Sequence, residues 1–162
     1  MITFETAVRV ERPIEEVFAF VSDPLLFPRW NSAVQTVQRT SGQSGGPGST
    51  YSMRRRLPTG QVENELEVLS REHPMKFGIR TTSGPTPFLY NYRFAPDGAD
   101  TVVHLDASVD LPGVTAVLGP LAARGVRRGV DANLAALKHA LEASARDAYP
   151  RPREPDGRLI AG

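Results

Sequence analysis

Few side chains in this sequence could do chemistry in a protected place, and most of them lie in segments that alternate between apolar and polar residues. Tyr51 and Arg55 share a strand face with Met53 and Leu57, Asn64 with Val62, Leu66 and Val68, and Tyr90 and Tyr92 with Phe88 and Phe94. Period-two alternation turns each set towards one interior. Met75, Phe77, Ile79 and Thr81 complete the same lining, as do Val103, Leu105, Ala107 and Val109. An arginine beside tyrosine hydroxyls in a dry enclosure can polarise a carbonyl and exchange a proton with it. The same groups, without any reaction, orient a small ligand in a mostly apolar pocket.

Each of these residues also has a plainer reading. Tyrosines in strands are commonly core residues whose hydroxyl reaches water. Arg55 stands between Arg54 and Arg56, and a bulge that turns it to solvent is favoured because an inward arginine needs a partner. Asn64, a lone amide among aliphatic neighbours, is the better candidate. Asn133 can bond within its own helix, and the large apolar area of Trp30 suffices to make it a packing anchor near a cavity mouth.

Other chemistries are poorly supported. The histidines, His73, His104 and His139, fall in a turn, on the polar face of a strand and on the outer face of a helix, so neither a metal site nor a nucleophilic triad is indicated. The chain has no cysteine, which removes thiolate chemistry and disulfides and fits a cytoplasmic location. The glycines between Gly42 and Gly48 lack a following Lys-Ser/Thr and helix, so they do not form a phosphate loop. Nineteen Lys and Arg against eighteen Asp and Glu give a net charge of +1, too small to imply a nucleic-acid partner. No apolar run is long enough for a membrane span. No cofactor is expected.

The elements that must position these residues follow from the order of the chain. Residues 3–11 alternate as a strand; a helix follows from Pro13 to Asp23-Pro24, where the residue before proline leaves helical geometry. A short helix over 25–30 leads into a strand over 32–39. Past the glycine-rich loop, strands are expected over 50–57, 61–71, 75–82, 87–94 and 101–110, joined by short turns that favour an antiparallel meander. A single long helix over 120–146 is expected to bury its stripe of Val126, Val130, Asn133, Leu137 and Leu141 on that sheet. A second apolar phase, Val114, Val117, Leu118 and Leu121, ends near Gly119-Pro120. Small residues, Gly125 and Gly129 among them, let the helix approach the sheet closely or leave room for a ligand beside it. Residues 1–147 read as one domain and 148–162 as a flexible tail.

The order strand, two helices, six strands, long helix resembles the START-like or Bet v 1-like (SRPBCC) superfamily, and more narrowly its bacterial polyketide cyclase/dehydrase-type members. The stretch 8–23 (VRVERPIEEVFAFVSD), Phe27-Pro28-Arg29-Trp30-Asn31, Gly48-Ser49-Thr50-Tyr51 and the helix over 123–142 carry the likeness. It implies an α+β helix-grip fold, a seven-stranded antiparallel curved sheet around the terminal helix, with an elongated apolar cavity between them. Members bind lipids or hormones, cyclise polyketides or act as co-chaperones. The expected function is binding or transport of a small hydrophobic, aromatic or lipid-like ligand. A cyclase/dehydratase using the same cavity is the alternative, and a partner-binding module the third. The cavity is expected to be lined by Trp30, Tyr51, Met53, Arg55, Asn64, Leu66, Phe77, Ile79, Tyr90, Tyr92, Val117, Leu121, Gly125, Gly129 and Asn133.

Overall fold

The computed structural model describes residues 1–111, 113 and 119–148. Seven strands, β1 (Ile2–Val10), β2 (Val34–Ser41), β3 (Thr50–Leu57), β4 (Gly60–Glu72), β5 (Lys76–Ser83), β6 (Phe88–Asp97) and β7 (Asp100–Val109), form one sheet. Its order is β1-β7-β6-β5-β4-β3-β2, so the last six strands are a meander, and every neighbouring pair is antiparallel. β1 lies beside β7 in an unbroken register from Ile2↔Val109 to Val10↔Thr101. The curved antiparallel sheet with its C-terminal helix is the helix-grip architecture that the element order implied.

Alternation explains the core. On β7, Thr101, Val103, Leu105, Ala107 and Val109 are buried while the residues between them are half-buried. Met75 is an exception to the expected lining: β5 starts one residue later, at Lys76, and Met75 is exposed. Between β1 and β2 the chain forms α1 (Ile14–Val21), which buries Val17, Phe18 and Val21, and a 3₁₀ helix, Pro24–Arg29, which buries Phe27. The Asp23 side chain caps the second of these by accepting from the Leu25 N–H at 3.0 Å, satisfying a donor that a helix start leaves open.

The long helix α2 (Gly119–Ala148) buries Val130, Leu134, Leu137 and Leu141 in the same core as the sheet. This spacing is one face of a 3.6-residue helix. Polar contacts fasten it to the β1 edge: Thr6 Oγ1 donates to Asp131 at 2.6 Å, Glu142 accepts from the Glu11 N–H at 3.0 Å, and Lys138 Nζ donates to the Arg9 carbonyl at 3.0 Å. Of the expected tail, 148–162, Ala148 is the last residue of α2; residues 149–162, the expected turn before Gly119 and Val117 lie outside the described residues.

Candidate ligand-binding site

The register of β3 with β4 runs without a break from Thr50↔Glu67 to Leu57↔Gly60. A bulge does occur beside Arg55, but on the other strand: β2 slips between Val34 and Thr36, which face Arg55 and Arg54. The extra residue is taken up by β2, so the alternation of β3 survives. Arg55 therefore points inward with Tyr51 and Met53 and is 8% exposed, which corrects the solvent-facing reading. Arg54 faces out and pairs with Glu63 at 2.9 Å.

The inward arginine has partners, and they are neutral. Its Nε donates to Asn64 Oδ1 at 2.9 Å; its Nη2 donates to the Pro85 carbonyl at 2.9 Å and to that of Thr86 at 3.4 Å. Asn64, 1% exposed, uses its Nδ2 to donate to the carbonyls of Ser83 (3.1 Å) and Pro85 (2.9 Å), so the network sets the orientation of the amide. This is possible because β4 pairs with β5 only from Glu65↔Ser83 onward, leaving Asn64 where the 84–87 turn folds back over it. Gly84, at φ +95, makes the close approach: a Cβ there would lie 2.5 Å from Asn64 Nδ2. Thr86 holds φ 54, a region that β-branched residues avoid and that tends to mark functional turns.

No carboxylate lies within ion-pair distance of Arg55 among the described residues, and its Nη1 has no hydrogen-bond partner there. The guanidinium sits over the Phe88 ring at 5.7 Å. Beside it opens a cavity of about 210 Å³ between sheet, 3₁₀ helix and α2, lined by Phe27, Trp30, Asn31, Ala33, Met53, Arg55, Leu57, Thr86, Phe88, Tyr90, Tyr92, Val109, Val126, Gly129, Val130 and Asn133. Phe88 stacks on Tyr90 at 4.5 Å, and Tyr90 meets Tyr92 edge-on at 6.3 Å. The hydroxyls of both tyrosines, the Asn133 amide and the buried Trp30 Nε1 have no hydrogen-bond partner among the described residues.

Burial lowers the pKa of Arg55, and the nearby Tyr90 offsets part of that. Burial likewise pushes the Tyr90 hydroxyl up to about 12 against the pull of Arg55, and drives Tyr92 well above the usual tyrosine value, with Tyr90 adding to the effect. Both phenols are proton donors at neutral pH. No lining residue among those described is His, Asp or Glu.

Of the residues singled out from sequence, Trp30, Met53, Arg55, Tyr90, Tyr92, Gly129 and Asn133 border this cavity. Asn64 stands behind Arg55 as its support. Leu66, Phe77 and Ile79 are fully buried in the packed core away from it. Tyr51 is equally buried, with its hydroxyl at a different pocket. Leu121 is 64% exposed and Gly125 is exposed. Nine residues before Val130, Leu121 comes out about half a turn round the helix from the buried stripe. Phe27, Asn31, Ala33 and Thr86 line the cavity without having been expected there. Phe27 and Asn31 flank Trp30 in the stretch that carries the family likeness, whereas a turn residue such as Thr86 has no periodicity to place it.

A curved antiparallel sheet, one gripping helix and a cavity between them define a protein of the helix-grip fold. The chain belongs to the family described as "Polyketide cyclase / dehydrase and lipid transport", which matches residues 1–142. Among solved structures it is similar to TTHA0849 from Thermus thermophilus (16% identity, TM-score 0.75, 88% of this chain and 99% of that one). A START superfamily protein from Mycobacterium smegmatis is 17% identical, with TM-score 0.73 over 89% of this chain and 99% of that one. The di-domain ARO/CYC StfQ from the steffimycin biosynthetic pathway is 13% identical, with TM-score 0.66, covering 88% of this chain and 46% of its own. At these identities the likeness is one of fold. No curated protein matches the chain. Among the described residues, no helix is long and apolar enough to cross a membrane.

Proposed function

We propose that the cavity binds a compact, ring-containing ligand that presents one negatively polarised oxygen to Arg55. The observation that carries this reading is the buried guanidinium that, among the described residues, is held only by neutral acceptors and keeps one nitrogen uncommitted at an aromatic-walled cavity. A buried cation without a counter-charge favours a carboxylate, enolate or phenolate by a charge-assisted hydrogen bond. The volume, about 210 Å³, lies under the roughly 300–1,000 Å³ of drug-sized sites, which argues for a small planar ligand over a whole lipid chain. Calorimetry with naphthoate and its methyl ester is the test. Naphthoate is expected to bind more tightly than the ester and to lose at least about tenfold in Arg55→Gln; equal binding of both, or no loss in the variant, overturns the reading.

A cyclase or dehydratase step at the same site is the second reading. It is supported by Tyr90, whose proton is held to about pH 12 near a cation that would polarise a ligand carbonyl. Against it stands the lack, among the described lining residues, of a group that accepts protons near neutrality. Turnover of a poly-β-keto substrate that falls in both Arg55→Gln and Tyr90→Phe supports catalysis; turnover indifferent to both removes it.

A further inference from the structure

A second, smaller pocket of about 130 Å³ lies at the end of α1, lined by Ala19, Ser22, Asp23, Arg39, Ser44, Gly45, Tyr51 and Arg71, none of which lines the cavity beside Arg55. Along β3, Tyr51 and Arg55 are about 13 Å apart. We propose that this pocket binds a phosphate group.

Two guanidiniums flank it, and neither has an acidic partner among the described residues. Arg39 lies over the Tyr51 ring at 5.7 Å and donates from Nη1 to the Gln43 carbonyl at 3.0 Å. Arg71 lies over the Phe18 ring at 5.7 Å and donates from Nε to Ser22 Oγ at 3.3 Å. Each is fixed by a ring face and one hydrogen bond, which leaves further N–H donors to spend on an anion. Three arginines on exposed sheet positions differ: Arg54, Arg80 and Arg93 are matched to Glu63, Glu67 and Asp106.

The floor of the pocket points to a ligand independently. Tyr51 is 0% exposed, yet its hydroxyl has no hydrogen-bond partner among the described residues, an arrangement that costs free energy unless something is bonded to it. Gly45, at φ +67, sits against it so closely that a Cβ would come to 3.3 Å from that oxygen and 3.7 Å from Arg39 Nη2. The hydroxyls of Ser22 and Ser44 add donors from other directions, which suits a tetrahedral oxyanion. Asp23 is the one acid on the rim among the described residues, and its Oδ1 is occupied by the Leu25 N–H. Two cations outweigh one carboxylate and the negative end of α1.

The source of the phosphate is either a free ion or the headgroup of a lipid, and the experiment separates them. The full-length protein is titrated with inorganic phosphate and with phosphoethanolamine, followed by amide NMR, and is sedimented with vesicles of phosphatidylcholine with and without phosphatidic acid. Saturable shifts at Ser22, Ser44 and Gly45 with the soluble compounds support a free phosphate; binding only to phosphatidic acid vesicles supports a headgroup. In either case Arg39→Gln and Arg71→Gln are expected to weaken binding about tenfold, and the exposed Arg56→Gln to leave it unchanged. Tyr51→Phe keeps the ring and removes the hydroxyl, so it should also weaken binding without disturbing the fold. Arg39→Gln, at an exposed position, keeps the test valid if Tyr51→Phe folds poorly. Non-saturating shifts together with no vesicle binding, or the same loss in Arg56→Gln as in Arg39→Gln, overturn the proposal.

Discussion

Asn64 Oδ1 accepts the Arg55 Nε–H at 2.9 Å, so the buried guanidinium leans on an amide and not on a carboxylate. Among the described residues no carboxylate offsets that charge, which is the basis of the proposed ligand contact. Asn64 is also a structural support, since its amide ties Arg55 of β3 to the Ser83 carbonyl at the end of β5 and to the Pro85 carbonyl in the 84–87 turn.

Replacing Asn64 by Leu keeps the volume close but strips the acceptor from a buried cation and the donors from two carbonyls. The expected cost is about 3 kcal/mol, measured by urea unfolding. A loss under about 1 kcal/mol would show that the cradle contributes little.

Gly84 and Gly98 both have positive φ, +95 and +60, but only Gly84 has neighbours in the way. Gly98→Ala is expected to cost about 1 kcal/mol from backbone conformation alone. Gly84→Ala should cost clearly more and shift the amide resonance of Asn64, because the added carbon collides with it. Thermal melts of the two variants give the comparison; equal losses contradict it.

Tyr90 keeps its proton to about pH 12 in the folded chain, while an unfolded tyrosine gives it up near 10. Between those values only the unfolded state ionises, so stability must fall as pH rises through that window and be unaffected by Tyr90 below it. Tyrosinate absorbance should show a late step near pH 12 that is missing in Tyr90→Phe. A Tyr90→Phe titration identical to the parent would be inconsistent with this.

Leu137 is fully buried on α2 and Leu121 is exposed. Leu137→Ala is expected to cost about 2–5 kcal/mol, and Leu121→Ala to stay within about 0.5 kcal/mol of the parent. Comparable losses at both positions would place the helix on the sheet in a different phase.

The strands were legible because a half-buried sheet writes its two faces into the sequence every second residue, as on β7 from Thr101 to Val109. The stripe of α2 was legible for the same kind of reason, although Leu134 joins it. What periodicity cannot give is the meaning of Arg55: alternation turns it inward, whereas the need of a buried cation for a partner favours solvent. The partner proved to be an amide on the next strand and a carbonyl thirty residues on, in a turn with no repeating pattern. Leu121 is the opposite case: an apolar residue on a helix reads as cavity lining, yet its phase turns it to solvent. Tyr51 was correctly turned inward, but burial alone does not say which of two pockets a hydroxyl reaches.

The pairing of β1 with β7 also bears on how the chain acquires its structure. Ile2 meets Val109 and Val10 meets Thr101, so the leading strand has no sheet partner until almost all of the meander has been made. Contacts between such distant segments carry the loop-closure cost that slows folding. Closure of this seam is thus expected to come late in folding, after β2–β7 have assembled, and because α2 is fastened to β1 through Thr6, Arg9 and Glu11, the roof of the cavity should lock down in the same step.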